Sequence, residues 1–163
     1  MAVEELIKET YERWKELRDK AVAYYIEKQD FRMARKLSEC NLFTGSETFS
    51  ELVDLMFTPQ GTEAILTYKL ITHELFKQYK AYEPEKLGVY IDSGIITLTN
   101  VDRAFLVGDT TAKAIFNGNA ASKIVLMHGA HIDIEVHDYA IAHIEKDETS
   151  GFSVKEFGNG LVL

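Results

Sequence analysis

From Leu87 to the C-terminus the chain repeats a pattern that few folds accommodate: a short apolar strand, an alternating strand, and a polar corner. The apolar strands align as Val89-Tyr90-Ile91-Asp92, Phe105-Leu106-Val107-Gly108, Val125-Leu126-Met127-His128 and Ala140-Ile141-Ala142-His143, and Leu161-Val162-Leu163 closes the chain. Their starts lie 16, 20, 15 and 21 residues apart. Between them Ile96 and Leu98, Ile132, Ile134 and Val136, and Phe152 and Val154 alternate with polar residues, the period of a strand buried on one face. Asn100, Asn117, Asp138 and Asn159 stand near the strand ends, where short polar side chains bond local backbone and tolerate corner conformations. One such unit cannot bury its own apolar face, so it stacks on the next. An antiparallel meander or small jelly roll is the structural rival, because hairpins also give alternating strands between Gly-containing turns.

The preceding residues read differently. Val3, Leu6, Ile7, Trp14, Leu17, Ala21, Tyr24 and Tyr25 fall at helical spacing. Asp30 predicts the cap of a second helix with Phe31, Ala34 and Leu37 on one face, and Thr48-Phe49-Ser50-Glu51 has the capping-box form of a third, running through Phe57. Thr58-Pro59-Gln60-Gly61 is expected to stop it, and Glu63 to Tyr82 to form one or two more helices with a break at Ile71-Thr72. The expected fold is therefore α+β: a helical segment of four or five helices over residues 1–86, then a β-solenoid of about four coils over 87–163, single-stranded and β-helix-like.

The first strand of each coil is apolar on both faces, so its outer face needs a cover, either the helices or another subunit. The chain also stops on Gly160-Leu161-Val162-Leu163, whereas an open coil end normally carries a polar cap. A homo-oligomer is expected, with Leu161, Val162 and Leu163 in its interface.

Charge narrows the partners. The net charge is −8, and residues 87–163 carry 5 Lys/Arg against 10 Asp/Glu. That balance opposes the phosphate neutralisation that nucleic acid requires, so no nucleic-acid partner is expected. A lone Cys40 excludes an internal disulfide and fits a reducing compartment. The acids from Glu4 onward argue against a signal peptide, and no window approaches the roughly 18 apolar residues of a membrane span, so a cytoplasmic location without membrane binding is expected.

Reactive side chains cluster in one place. His128, His131, His137 and His143 lie close to Asp133, Glu135, Asp138 and Glu145. The strand alignment puts His128 and His143 in one column, about 4.8 Å apart, where two imidazoles can share a divalent metal or a proton. His131 and His137 share parity with Asp133 and Glu135 and project outward with them. The plainer reading makes all four surface histidines on a solvated acidic face; metal binding is the sharper alternative. His128-x-x-His131 departs from the cupin His-x-His pattern. The six-residue spacing of Ala130, Val136 and Ala142 is similar to hexapeptide β-helices over only three turns, without their Gly, Asn and Pro richness. No nucleophile elbow occurs, Gly108-Asp109-Thr110-Thr111 lacks the Gly-Lys-Ser/Thr ending of a phosphate loop, and Cys40 reads as a packed thiol. No catalytic residue and no cofactor is assigned.

The segments Leu87 to Gly94, Val107 to Ala114, Val125 to Ala130 and Leu55 to Gly61 resemble those of uncharacterised small proteins from gut-bacterial genomes, of the kind carried on prophage or other mobile elements. The resemblance implies no activity. The expected function is a non-enzymatic, oligomeric binding or scaffolding module whose helical half engages a protein partner. The alternatives are a small metal-dependent or carbohydrate-directed enzyme built on His128, His143 and Glu135 or Glu145, and a mobile-element accessory protein that binds a host factor.

Overall fold

The computed structural model describes residues 1–163 as two compact units, Met1–Thr72 and His73–Leu163. None of its helices is long and apolar enough to cross a membrane.

The first unit is helical. α1 (Val3–Glu27) buries Leu6, Ile7, Thr10 and Trp14. It is followed by α2 (Phe31–Ser38), α3 (Phe49–Met56) and α4 (Pro59–Leu66). The caps are those the sequence predicts. Asp30 accepts the amide of Met33 at 3.1 Å, and Thr48 and Glu51 form a reciprocal capping box. One expectation fails and one holds only in part. Phe31 is 65% exposed, and only Ala34 of its predicted face is buried, because the short helix meets α1 through a small residue. Thr58-Pro59 opens α4 rather than merely ending α3: Thr58 Oγ1 accepts the amide of Gly61, and Pro59 takes the first helical position, where a missing N–H costs nothing. Glu63 onward therefore continues α4, and the helical break falls at residues 67–72, wider than Ile71-Thr72.

The second unit begins with α5 (His73–Tyr79) and two 3₁₀ turns, Lys80–Tyr82 and Pro84–Leu87, before the strands start. These residues belong compactly with the strands, so the units part at Thr72/His73 rather than at the expected 86/87 boundary. Nine strands follow: β1 (Val89–Ile91), β2 (Gly94–Thr99), β3 (Arg103–Val107), β4 (Thr110–Phe116), β5 (Ala121–Met127), β6 (His131–Val136), β7 (Ile141–Lys146), β8 (Gly151–Glu156) and β9 (Leu161–Val162). All pairings are parallel, in two sheets ordered β1-β3-β5-β7-β9 and β2-β4-β6-β8. Parallel neighbours two strands apart in sequence exclude hairpins, and the chain is a β-solenoid of about four turns.

The register is more regular than the sequence alignment suggests. Val89 pairs with Phe105 and Gly94 with Thr110, sixteen positions on, whereas Phe105 pairs with Val125, Ile141 with Leu161 and His131 with Gly151, twenty positions on. The first coil is thus four residues shorter than the rest. Twenty-residue coils also remove any hexapeptide relation among Ala130, Val136 and Ala142.

Inside the coils, side chains form columns. Leu98, Ala114 and Ile134 stack in one, and Ala112 and Ile132 in the next, with small residues opposite large ones. On the outer face of the first sheet Phe76 of α5 packs on Phe105, ring centroids 5.8 Å apart, and both are fully buried. α5 therefore supplies a cover for strands that are apolar on both faces.

Candidate functional site

The corners of the solenoid explain where the histidines go. Asp92, Gly108 and His128 occupy one corner column, and all three have left-handed backbones, φ 46°, 66° and 58°. Asp92 N–H donates to the Val107 carbonyl and Gly108 N–H to that of Met127, so each corner rests on the next. Beneath His128 the ladder ends on a side chain: His128 N–H donates to Asp147 Oδ2 at 2.9 Å. Asp147 is buried, and its other oxygen accepts from the hydroxyls of Thr149 and Ser150.

This geometry separates His128 from His143. His143 pairs with Lys123 in β5, while His128 lies in the corner beyond β5. The proposed shared column does not exist, because successive coils are offset by twenty residues and not by the fifteen that aligned the two histidines. His131, Asp133 and Glu135 do lie on the outer face of β6, with His137 just beyond it, but each histidine turns to an acid two positions away. His131 Nε2 is 3.0 Å from Asp133, His137 Nε2 3.4 Å from Glu135, and His143 Nε2 3.2 Å from Glu145. Ser153 Oγ also donates to Asp133, His137 stacks flat on Phe157 at 4.6 Å, and Lys123 lies 3.9 Å from Glu145. No group of three or more His, Cys, Asp or Glu side chains converges in a way that could hold a metal ion.

What the fold does bring together is a histidine that sequence reasoning passed over. His73, the first residue of α5, places Nε2 2.9 and 3.0 Å from the two oxygens of Asp92. Its ring stacks on His128, centroids 5.5 Å apart, and Phe76 meets His128 edge-on at 6.0 Å. Asp92 also accepts the amide of Asp109 at 2.8 Å. Partial burial pushes the Asp92 carboxyl upward, but the Asp109 amide, the His73 ring and Lys80 together hold it below the ordinary carboxylate range. The cluster anchors α5 to the corner column, and fifty-five positions separate its two histidines, so no local spacing announces it.

The helical unit carries an apolar concavity. A cleft of about 340 Å³ opens among α1, α2 and α4. Its walls are apolar: Leu17, Ala21 and Tyr25 follow one another at helical spacing on α1, Met33 and Leu37 face them from α2, and Ala64 closes the third side. Trp14, the sole tryptophan, lies at the base, only 6% exposed, under the Arg18 guanidinium at 5.0 Å. Cys40 lines the wall as a free, half-buried thiol. Tyr68 and Met33 form an exposed apolar lip. The helical spacing of apolar residues on α1 marks this face as apolar; that it stays uncovered follows from how short α2 and α4 are, eight residues each.

At the far end of the solenoid, Leu161 is 42% and Leu163 60% exposed, with Val162 half-buried between them. Two interior columns finish on charge: Leu106 and Leu126 are followed by Lys146, and Phe116 and Val136 by Glu156. Glu156 accepts the amide of Val162 at 3.2 Å. The last rung is therefore partly polar, contrary to the uncapped end expected from the sequence. No family model, curated protein or solved structure matches the chain.

Proposed function

We propose that this protein is a binding and scaffolding module: the helical unit receives an apolar guest in the cleft above Trp14, and the solenoid serves as a rigid platform that self-associates through its last rung. The cleft carries the reading. Its volume of about 340 Å³ lies at the small end of ligand clefts, which run roughly 300–1,000 Å³ and are predominantly apolar with a few polar groups. Arg18, Gln60 and Glu63 are the polar groups of this one. Leaving Met33 and Tyr68 at its lip in water forfeits burial worth roughly 25 cal/mol per Å², which a guest recovers. The platform role draws support from exposed Phe152, Phe157, Leu161 and Leu163 around open strand edges at β8 and β9.

Trp14 makes the cleft testable without knowing the natural guest. N-phenylnaphthylamine, an uncharged apolar fluorophore, is expected to quench Trp14 saturably by energy transfer. Ala64→Phe, which fills the wall, is expected to abolish the transfer while leaving the helical circular dichroism intact. A probe that shows no saturable transfer, or equal transfer to the filled variant, would count decisively against a guest site here.

A further inference from the structure

The cleft has a charged border as well as an apolar wall. On α2 the lining residues Met33 and Leu37 are one helical turn apart, and Ala34, on one side of them, is the buried residue of the helix. Arg32 and Lys36 fall on the other side, toward solvent, both exposed and neither in an ion pair. Lys28, just before α2, extends the same edge with its ammonium 5.7 Å from the Tyr24 ring. The remaining local cations are already engaged: Arg35 pairs with Glu39 at 3.0 Å, and Arg18 with Asp19 at 3.2 Å. Glu63 is the single acid lining the cleft, on the α4 side. From Lys28 to Glu39 there are four cations and two acids, in a chain whose net charge is −8. An unpaired basic edge in an acidic protein attracts acidic partners to this surface and repels basic ones.

We propose that the guest is an acidic amphipathic helix of a partner protein, laying its apolar stripe into the cleft and its carboxylates along Lys28, Arg32 and Lys36. This rests on the cleft being a guest site, as argued above. The dimensions suit it: a helix in a groove anchors through two or three side chains at i, i+3 or i+4 and i+7, which is what a cleft of this volume holds. Apolar anchors supply affinity, and the basic edge fixes orientation and speeds encounter.

Two synthetic peptides test it, with identical leucines at i, i+3, i+4 and i+7 and a polar face of either glutamate or lysine, titrated against full-length protein by Trp14 fluorescence. The glutamate peptide is expected to bind at least about tenfold more tightly at low salt, a preference that shrinks as salt is raised, since surface charge is screened within about 10 Å at 0.1 M. Arg32→Glu with Lys36→Glu, both on the exposed edge, is expected to remove or reverse that preference while N-phenylnaphthylamine still binds. Equal or tighter binding of the lysine peptide overturns the proposal, as does a preference unchanged by the double substitution. Binding to phosphatidylglycerol vesicles that the glutamate peptide fails to displace overturns it in favour of a lipid surface. If neither peptide binds but the fluorophore does, the acidic-helix proposal falls and the guest site stands; if none of the three binds, both fall.

Discussion

His73 holds Asp92 with its Nε2 2.9 Å from Oδ1, and through that contact the first turn of α5 is tied to the first left-handed corner of the solenoid. The carboxylate is half-buried and satisfied from two sides, by the imidazole and by the Asp109 amide. Its pKa is depressed in the folded state, so the sign is that of a stabilising anion. The contribution is fully present above the unfolded carboxylate value of about 3.9 and disappears as pH falls through the lower folded value. Asp92→Asn should destabilise the strand unit by roughly 1.5–3 kcal/mol at pH 7, the range for a charge-assisted hydrogen bond. Thermal melts of the two proteins should begin to approach each other only below the unfolded carboxylate value of about 3.9, and should converge once the pH has fallen through the lower folded value, where the wild-type carboxylate is itself protonated. Melts that differ equally at pH 7 and in strong acid would assign the loss to packing instead.

Gly108 sits between these same groups. A Cβ built there falls on Asp92 Oδ1 and His73 Nε2, and its φ of 66° is one that L-residues adopt reluctantly. Gly108→Ala should therefore cost more than the roughly 1 kcal/mol of backbone strain alone, because it also breaks the His73–Asp92 pair. Gly118→Ala is the control: its φ is 62°, but nothing lies within contact of its added Cβ. The difference between the two melting temperatures isolates the cost of displacing the pair.

Much of the architecture was legible because it follows from period and punctuation. Alternating Ile132, Ile134 and Val136 face inward as their parity requires, and Asp30 and Thr48 cap the helices they precede. Coil spacing was not. Thr110–Phe116 is a full strand, with Ala112, Ala114 and Phe116 buried, but its alanines and Lys113 carry little apolar contrast, so the alternating strand of the second coil is not evident from the sequence; in β7, Glu145 and Lys146 stand where the preceding coil has Val125 and Leu126, so the apolar alignment slips by five residues there. That slip produced the imagined His128–His143 column. The His73–Asp92–His128 cluster was illegible for another reason: it depends on α5 folding back over the sheet, a tertiary fact with no local spacing. The cleft lay in between, since Leu17, Ala21 and Tyr25 were read as a helix face but nothing in the periodicity says whether a face is covered.

Ser122 offers a prediction of the opposite sign. It lies in an interior column with Ala142 and Val162, and its hydroxyl is buried without a hydrogen-bond partner. Burying an unsatisfied hydroxyl costs roughly 1–3 kcal/mol, and alanine already fits the same position one coil on. Ser122→Ala should raise the stability of the strand unit by about 1 kcal/mol, read as a higher denaturation midpoint at unchanged slope. A lower midpoint would mean that the hydroxyl has found a partner after all.

Lys146 and Glu156 bear on self-association. Each ends a column that is apolar in the preceding coils, Leu106 and Leu126 in one case, Phe116 and Val136 in the other. Charges at an open edge discourage unlimited strand pairing without forbidding a specific contact. Under the proposed scaffold role, the apolar residues beside them, Phe152, Leu161 and Leu163, form a bounded patch that a second copy covers. Light scattering should then show a discrete oligomer at micromolar concentration, and Leu161→Asp with Leu163→Asp should shift it to monomer while the strand unit keeps a cooperative melt whose midpoint no longer depends on protein concentration. Lys146→Leu with Glu156→Val should act in the other direction, carrying both apolar columns to the last rung and converting the discrete species to larger, concentration-dependent assemblies. A wild-type monomer across the micromolar range would defeat the self-associating half of the proposed function and leave the cleft above Trp14 as the sole recognition surface in it.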